Sequence, residues 1–391
     1  MQSHSSHARS HSYAGVAVAT LAVCCGANAA WAQAPVEFEL AYTGDIVGPI
    51  SGARERGVYL DNFDLSATFD MEALAGWSEG AIIFAHVLSN SGDMPNDAAQ
   101  TLQGIDNIEV SREAIRLYEF WVETNIGALN ARAGLYDVNS EFYSNEAAGL
   151  LIAPAFGIGS ELAATGPNGP SIFPSTALAL RVRAPLSAHL SAQFAVVNAY
   201  AGVPGDPGGV DTALDDGALL IGELSWDGDT QLDVGAWTYT DEQEDIRLTT
   251  GLGAPVYHRA AGAYVTVEHE VRAGTTLFAR AGISDGDTTP YSGGWQAGVL
   301  FDGVFASRPD SQLSFGAYQG RLSSKFRANL RDGGVRAADA ESGVELTYSD
   351  QVTPWLRLQP DIQLVLDPSG DRDRQDVWIA GLRFVITPFG Q

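Results

Sequence analysis

Histidine is scarce in this chain. Beyond residue 32 there are four: His86, His189, His258 and His269. Nucleophilic and metal-assisted catalysis need an imidazole, thiolate or carboxylate held close to its partners. These four histidines form neither a His-x-x-x-His pair nor a His-Glu-x-x-His run. Both cysteines, Cys24 and Cys25, are adjacent near the N-terminus. No catalytic residue, cofactor or metal ligand set is assigned. Acidic runs such as Asp241–Asp245 and Asp285-Gly286-Asp287 offer the oxygens a hard cation prefers, but neither follows a calcium-loop pattern, and both read as solvated surface. What the chain does carry is arginine interleaved with carboxylates. Such groups donate to and accept from hydroxyls, so they can replace the hydration shell of a polar solute, provided some framework aims them into a wet space.

The composition narrows that framework. The chain has 391 residues, 22 Lys+Arg against 48 Asp+Glu, and a net charge of −26. Lys325 is the one lysine. Nucleic-acid binding through a general basic surface is excluded, because phosphate neutralisation needs clustered cations. Disorder is excluded by a hydrophobic content of 45%. Residues 1–32 hold Arg9, no acid, an apolar run from Tyr13 to Ala27, and small residues before Gln33. This is the pattern of a secretory signal cleaved after Ala32, leaving 33–391 as one domain. Cleavage there removes both cysteines, so the exported chain relies on hydrogen bonds and packing alone. Further on, no run approaches the roughly 18 apolar residues of a membrane-spanning helix.

Beyond residue 34 the hydrophobic pattern has period two. Leu129, Ala131, Ala133 and Leu135 alternate with Asn130, Arg132, Gly134 and Tyr136. Leu356, Leu358, Ile362, Leu364 and Leu366 alternate with Arg357, Gln359, Asp361 and Gln363. Strand residues alternate faces, so each segment has one apolar and one polar side. Sixteen strands are predicted: 36–45, 58–69, 77–88, 114–124, 129–137, 176–184, 189–198, 218–226, 231–239, 261–268, 276–284, 294–305, 312–319, 342–349, 355–366 and 377–387. Their connections alternate short and long. An even strand count with short turns at one rim and long loops at the other predicts an all-β, antiparallel transmembrane barrel. Trp77, Trp226, Trp237, Trp295, Trp355 and Trp378 fall near strand ends, as interfacial girdles require.

Several segments resemble the carbohydrate-selective porin family, often called OprB-like: GVYLDNFDLSATFD (57–70), LAGWSEGAIIFAHVLSNSG (74–92), IRLYEFWVE (115–123), ARAGLYDVNSEFYSNEAAGLL (131–151) and IFPSTALALRVRAPL (172–186). The likeness is sharpest from 57 to 186. The terminal strand departs from the usual aromatic last residue, since the chain continues to Phe389-Gly390-Gln391. The resemblance implies a sixteen-stranded, monomeric pore in the outer membrane of a Gram-negative bacterium. It would pass mono- or small oligosaccharides by facilitated diffusion, catalyse nothing, and have outer-membrane lipid, lipopolysaccharide and the barrel assembly machinery as partners.

Face parity then points Arg132, Arg181, Arg183, Arg280, Arg357 and Arg383 into the lumen, with Asp64, Glu119, Glu123, Glu223, Asp233, Glu268 and Glu345. The pore-lining candidates nearest the family-like segments are Arg116, Glu119, Glu123, Arg132, Tyr136, Asp137, Asn139, Arg181 and Arg183, with Tyr136 a ring on which a pyranose could stack. Loop 138–175, the longest, is expected to fold into the barrel and narrow it, the alternative being an extracellular lid. Three other readings compete. An arginine-rich lining suits organic acids as well as sugars. A soluble exported β-sandwich shares the alternation but not the loop asymmetry. An outer-membrane enzyme would need a triad that no motif marks.

Overall fold

In the computed structural model of the chain, the described residues are 19–21, backbone only, and 34–388. The signal-peptide reading falls on residues 1–32 and the C-terminal departure on 389–391, both outside them apart from 19–21. The strands, numbered along the chain, are β1 (Ala19–Leu21), β2 (Val36–Ser51), β3 (Val58–Asp70), β4 (Ile82–Gly92), β5 (Ala114–Ile126), β6 (Leu129–Tyr136), β7 (Ala177–Pro185), β8 (Leu190–Asn198), β9 (Ala218–Trp226), β10 (Thr230–Tyr239), β11 (Gln243–Thr249), β12 (Pro255–His258), β13 (Ala261–Arg272), β14 (Thr275–Ser284), β15 (Tyr291–Asp302), β16 (Gln312–Leu322), β17 (Ala340–Thr353), β18 (Leu356–Leu366) and β19 (Val377–Ile386). Antiparallel pairing runs from β2 through β10, continues at β13 and ends at β19, which pairs back onto β2 through Arg383↔Asp45 and Ile386↔Tyr42. Sixteen strands thus close a barrel that leaves no edge among them. β1 lies antiparallel to the start of β2, and β11 with β12 forms a separate hairpin.

All sixteen expected segments are barrel strands. Two are displaced: the strand expected at 294–305 runs from Tyr291 to Asp302, and the one expected at 77–88 runs from Ile82 to Gly92, because Asp70 caps a one-turn helix, Met71–Ala75, that lengthens the preceding turn. Loop 320–341 contains the helix Ser324–Asp332, capped by the Ser323 hydroxyl on Phe326 N. This helix and the β11–β12 hairpin have no period-two signature and were not expected.

The apolar face points outward. Phe120, Leu180, Phe194, Leu224, Val234, Ile283, Phe315 and Leu382 are exposed, while Arg132, Arg181, Glu223, Asp233, Arg280, Glu345 and Gln363 are buried. This inversion of the soluble pattern is the arrangement of a barrel in lipid around a polar lumen. Trp77, Trp226, Trp295, Trp355 and Trp378 are exposed near the strand ends; Trp237 is buried and shares the inward face of Ile221, so it is no part of a girdle.

The short turns lie at the rim where β2 begins and β19 ends. The opposite rim carries the long loops, among them L2 (93–113), L3 (137–176), L5 (240–260) and L7 (323–339), together with the short L6 (285–290). L3 crosses the lumen. Tyr143 stacks on Tyr264 of β13 at 4.0 Å, and its amide donates to Glu223 of β9. The Arg280 guanidinium of β14 donates to the carbonyls of Tyr143, Ala155 and Gly157. On the far wall, the amides of Ile152 and Ala153 donate to Glu345 of β17, and Gln359 of β18 donates to Leu150 O. Two inward glycines make room: a Cβ on Gly282 would lie 1.8 Å from the Glu161 carboxylate, and one on Gly316 would lie 2.6 Å from the Phe156 ring.

Candidate functional site

The register of three hairpins sets the site. Glu123 opposes Arg132 across β5–β6, and Arg132 opposes Arg181 across β6–β7. Arg183, two residues on, shares their face and opposes Gln193 of β8. Three cations so placed need anions. The wall supplies Glu123; L3 supplies Glu141 from its first turns. Arg132 bonds Glu123 at 2.7 Å, and Arg181 bonds the same oxygen at 2.8 Å. Arg181 also takes Glu141 in a fork, Nε to Oε2 at 2.8 Å and a terminal nitrogen to Oε1 at 2.9 Å. Arg183 reaches Glu141 Oε1 at 2.9 Å and Gln193 at 2.8 Å. Bidentate guanidinium–carboxylate bonds are roughly twice as strong as neutral ones and fix orientation. Three guanidiniums against two carboxylates leave one positive charge in excess.

The arginines differ in access. Arg132 and Arg181 are 3% and 1% exposed at the side chain, whereas Arg183 is 37% exposed. Arg132 lies 3.7 Å over the Trp121 ring, a contact worth about 2 kcal/mol when desolvated. Arg183 is therefore the guanidinium most open to a solute, with Arg132 and Arg181 holding the frame behind it.

The remaining candidates separate from this cluster. Tyr136 is 1% exposed, with its hydroxyl on Glu141 and its ring beside Arg132. Its face is covered, so the stacking surface expected of it is not offered to the lumen; L3 itself covers it. Asp137 accepts from the Tyr118 hydroxyl at 2.5 Å and from Asn139 N, and the Asn139 amide reaches Phe142 O and Tyr143 O. Both brace the root of L3. Glu119 accepts from Trp121 Nε1 and Asp137 N. Arg116 donates to Asn90 and to Arg112 O near the long-loop rim. Strict alternation would put Arg116 and Glu119 on opposite faces. A register shift opposite His86 and Val87 puts both inside.

Glu141, Gln193 and Asn130, whose side chain also accepts from Arg181, complete the cluster. In sequence Asn130 shares the polar face of its segment with Arg132 and Glu141 lies near the opening of the longest loop, whereas Gln193 carries no such signal. The wall opposite is acidic: Asp45, Glu345 and Asp361 are buried there with Asp106 of L2, against Arg383, which grips Asp45 at 2.6 Å. Excess cation on one side and excess anion on the other make a transverse field across the passage.

The model of the OprB carbohydrate-selective porin family matches residues 54–387. The chain belongs to this family. This porin is 23% identical to Porin B of Pseudomonas aeruginosa, over 89% of this chain and 86% of that one. Its fold is similar to the high-pH structure of Pseudomonas putida OprB, with a TM-score of 0.80 and 21% identity over 90% of this chain and 94% of that one. The outer-membrane channel DcaP of Acinetobacter baumannii is a more distant likeness, at TM-score 0.56 and 12% identity over 91% of this chain and 98% of that one. Family and fold together make the chain an outer-membrane carbohydrate porin. Porins of this family and fold are channels rather than catalysts. One run does have the spacing of an esterase nucleophile motif, Gly282-Ile283-Ser284-Asp285-Gly286. Ser284 ends a barrel strand, no helix follows it, and its hydroxyl donates to Tyr291 O. It lacks the strand–turn–helix setting that the motif requires.

Proposed function

We propose that small neutral sugars, monosaccharides and short oligosaccharides, diffuse through this porin past the Arg132/Arg181/Arg183–Glu123/Glu141 cluster, which selects them. The observation that carries this reading is that both glutamates are shared between arginines, so the open Arg183 guanidinium and the partly open Glu123 carboxylate are held in fixed orientation as donor and acceptor. A sugar hydroxyl is both donor and acceptor and can exchange water for such a surface at little net cost. Loose binding is required, since a solute that cannot leave blocks the channel. Outer-membrane lipid and lipopolysaccharide contact the exposed apolar band in this reading, and the assembly machinery inserts the barrel.

The excess guanidinium favours a second reading, a pore for organic acids. Single-channel recording in a planar bilayer separates them. Conductance steps partly blocked by millimolar glucose support the sugar pore. Steps indifferent to glucose but blocked by a dicarboxylate replace the substrate and keep the barrel. Properly folded protein without conductance removes both readings.

A further inference from the structure

Beside the arginine cluster the lumen wall of β3 and β4 holds a different set of groups. His86 Nε2 lies 2.9 Å from Asp64 Oδ1. The second Asp64 oxygen accepts from Asn62, which accepts from Asn90, which accepts from Arg116. Asn62, Asn90 and Arg116 are buried, and so orient Asp64 from behind. Asp64 and His86 keep 23% and 18% of their side-chain surface open. Two residues before His86 on the same strand face, Phe84 is half-buried. Its ring stacks on Trp121 at 4.9 Å and 24°, and Trp121 is the ring beneath the Arg132 guanidinium. Phe84 sits edge-on to His86 at 6.2 Å.

We propose that Phe84, Asp64 and His86 form a sugar-binding subsite next to the arginine cluster, with Phe84 the platform for the C–H face of a pyranose. This inference rests on the sugar-pore reading and names the aromatic surface that Tyr136 does not provide. The chemistry is complementary. Phe84 is held flat by Trp121 and offers apolar area to a ring whose faces are largely C–H. The Asp64 carboxylate, oriented by Asn62, accepts from a hydroxyl of that ring, and the His86 imidazole adds a further polar contact. The same carboxylate repels an anionic solute. The subsite therefore discriminates for neutral sugars where the arginine excess alone would admit acids.

The test is glucose block of single-channel current in wild type, Phe84→Ala, Phe84→Trp, Asp64→Asn and Arg181→Ala porins, each first shown to be folded by heat-modifiable migration. The expected result is a roughly tenfold higher half-blocking glucose concentration in Phe84→Ala, restoration in Phe84→Trp, and stronger block by gluconate in Asp64→Asn. Unchanged block in Phe84→Ala, while Arg181→Ala abolishes it, overturns the subsite and leaves the sugar-pore reading standing. Absence of glucose block in the wild type overturns both.

Discussion

The Glu141 carboxylate, carried by L3, takes both prongs of the Arg181 fork on the barrel wall, at 2.8 and 2.9 Å. The loop that narrows the pore and the charge that lines it are therefore one feature. Glu141→Gln removes an anion shared by three guanidiniums and raises the local excess from one positive charge to two. The expected outcome is a shift of the zero-current potential in a salt gradient toward anion selectivity, with noisier current as L3 loses its first anchor. Breaking a buried pair by removing one partner costs roughly 3–5 kcal/mol, so the loop rather than the barrel yields.

The crossing of L3 depends on space as well as charge. Gly282 and Gly316 lie where any side chain would meet the loop. Gly282→Leu is expected to expel L3 from that wall, because the new Cβ alone would overlap the Glu161 carboxylate. Single-channel conductance should rise while the folded barrel persists, since the strand pairing of β14 is untouched. Glu345→Ala removes the acceptor for Ile152 N and Ala153 N, and should raise conductance in the same direction.

L2 carries a pH dependence of its own. Burial pushes the Glu109 carboxyl up to about 7, against the lowering effect of the bond it accepts from Asn96 N. A carboxyl whose folded value is raised contributes stability that is complete below the ordinary value and is lost as pH rises through the folded one. Amide exchange of residues 96–101 should therefore quicken as pH goes from about 6 to 8, beyond the intrinsic base-catalysed increase. Glu109→Gln should remove that excess.

Lys325, on the L7 helix, lies between Asp245 of L5 and Asp287 of L6, bonding the second at 2.7 Å. His258 closes on Asp245 from the β12 side at 3.1 Å. One cation thus ties three loops at the outer rim. Lys325→Met leaves two carboxylates facing each other, and should raise amide exchange in the 243–258 hairpin several-fold while glucose block is unchanged. Amine-selective labelling of intact protein reads the exposure of this single lysine directly.

The barrel was legible in the chain because its signal is local. Leu356 to Leu366 declares a lipid face through the spacing of its own side chains, and the turn formers between such segments declare the hairpins. The resemblance of the 131–151 and 172–186 segments named the family that the whole-chain match shows. The lumen faces of Arg132, Arg181 and Arg183 followed from parity alone. What parity could not reach is whatever depends on partners distant in sequence. Glu345 holds the amide of a residue 193 positions away, and no periodicity encodes that bond. The register shift beside His86 places Arg116 and Glu119 on one side, against simple alternation. The tertiary structure covers the Tyr136 ring with the loop that follows it, and leaves Phe84 half-buried on the inward face of β4. The inward glycines read in sequence only as weak strand positions; their purpose appears once the loop that needs their space is folded against them. Alternation of faces belongs to each strand separately, whereas the width and chemistry of the passage belong to the contacts between L3 and the wall it crosses.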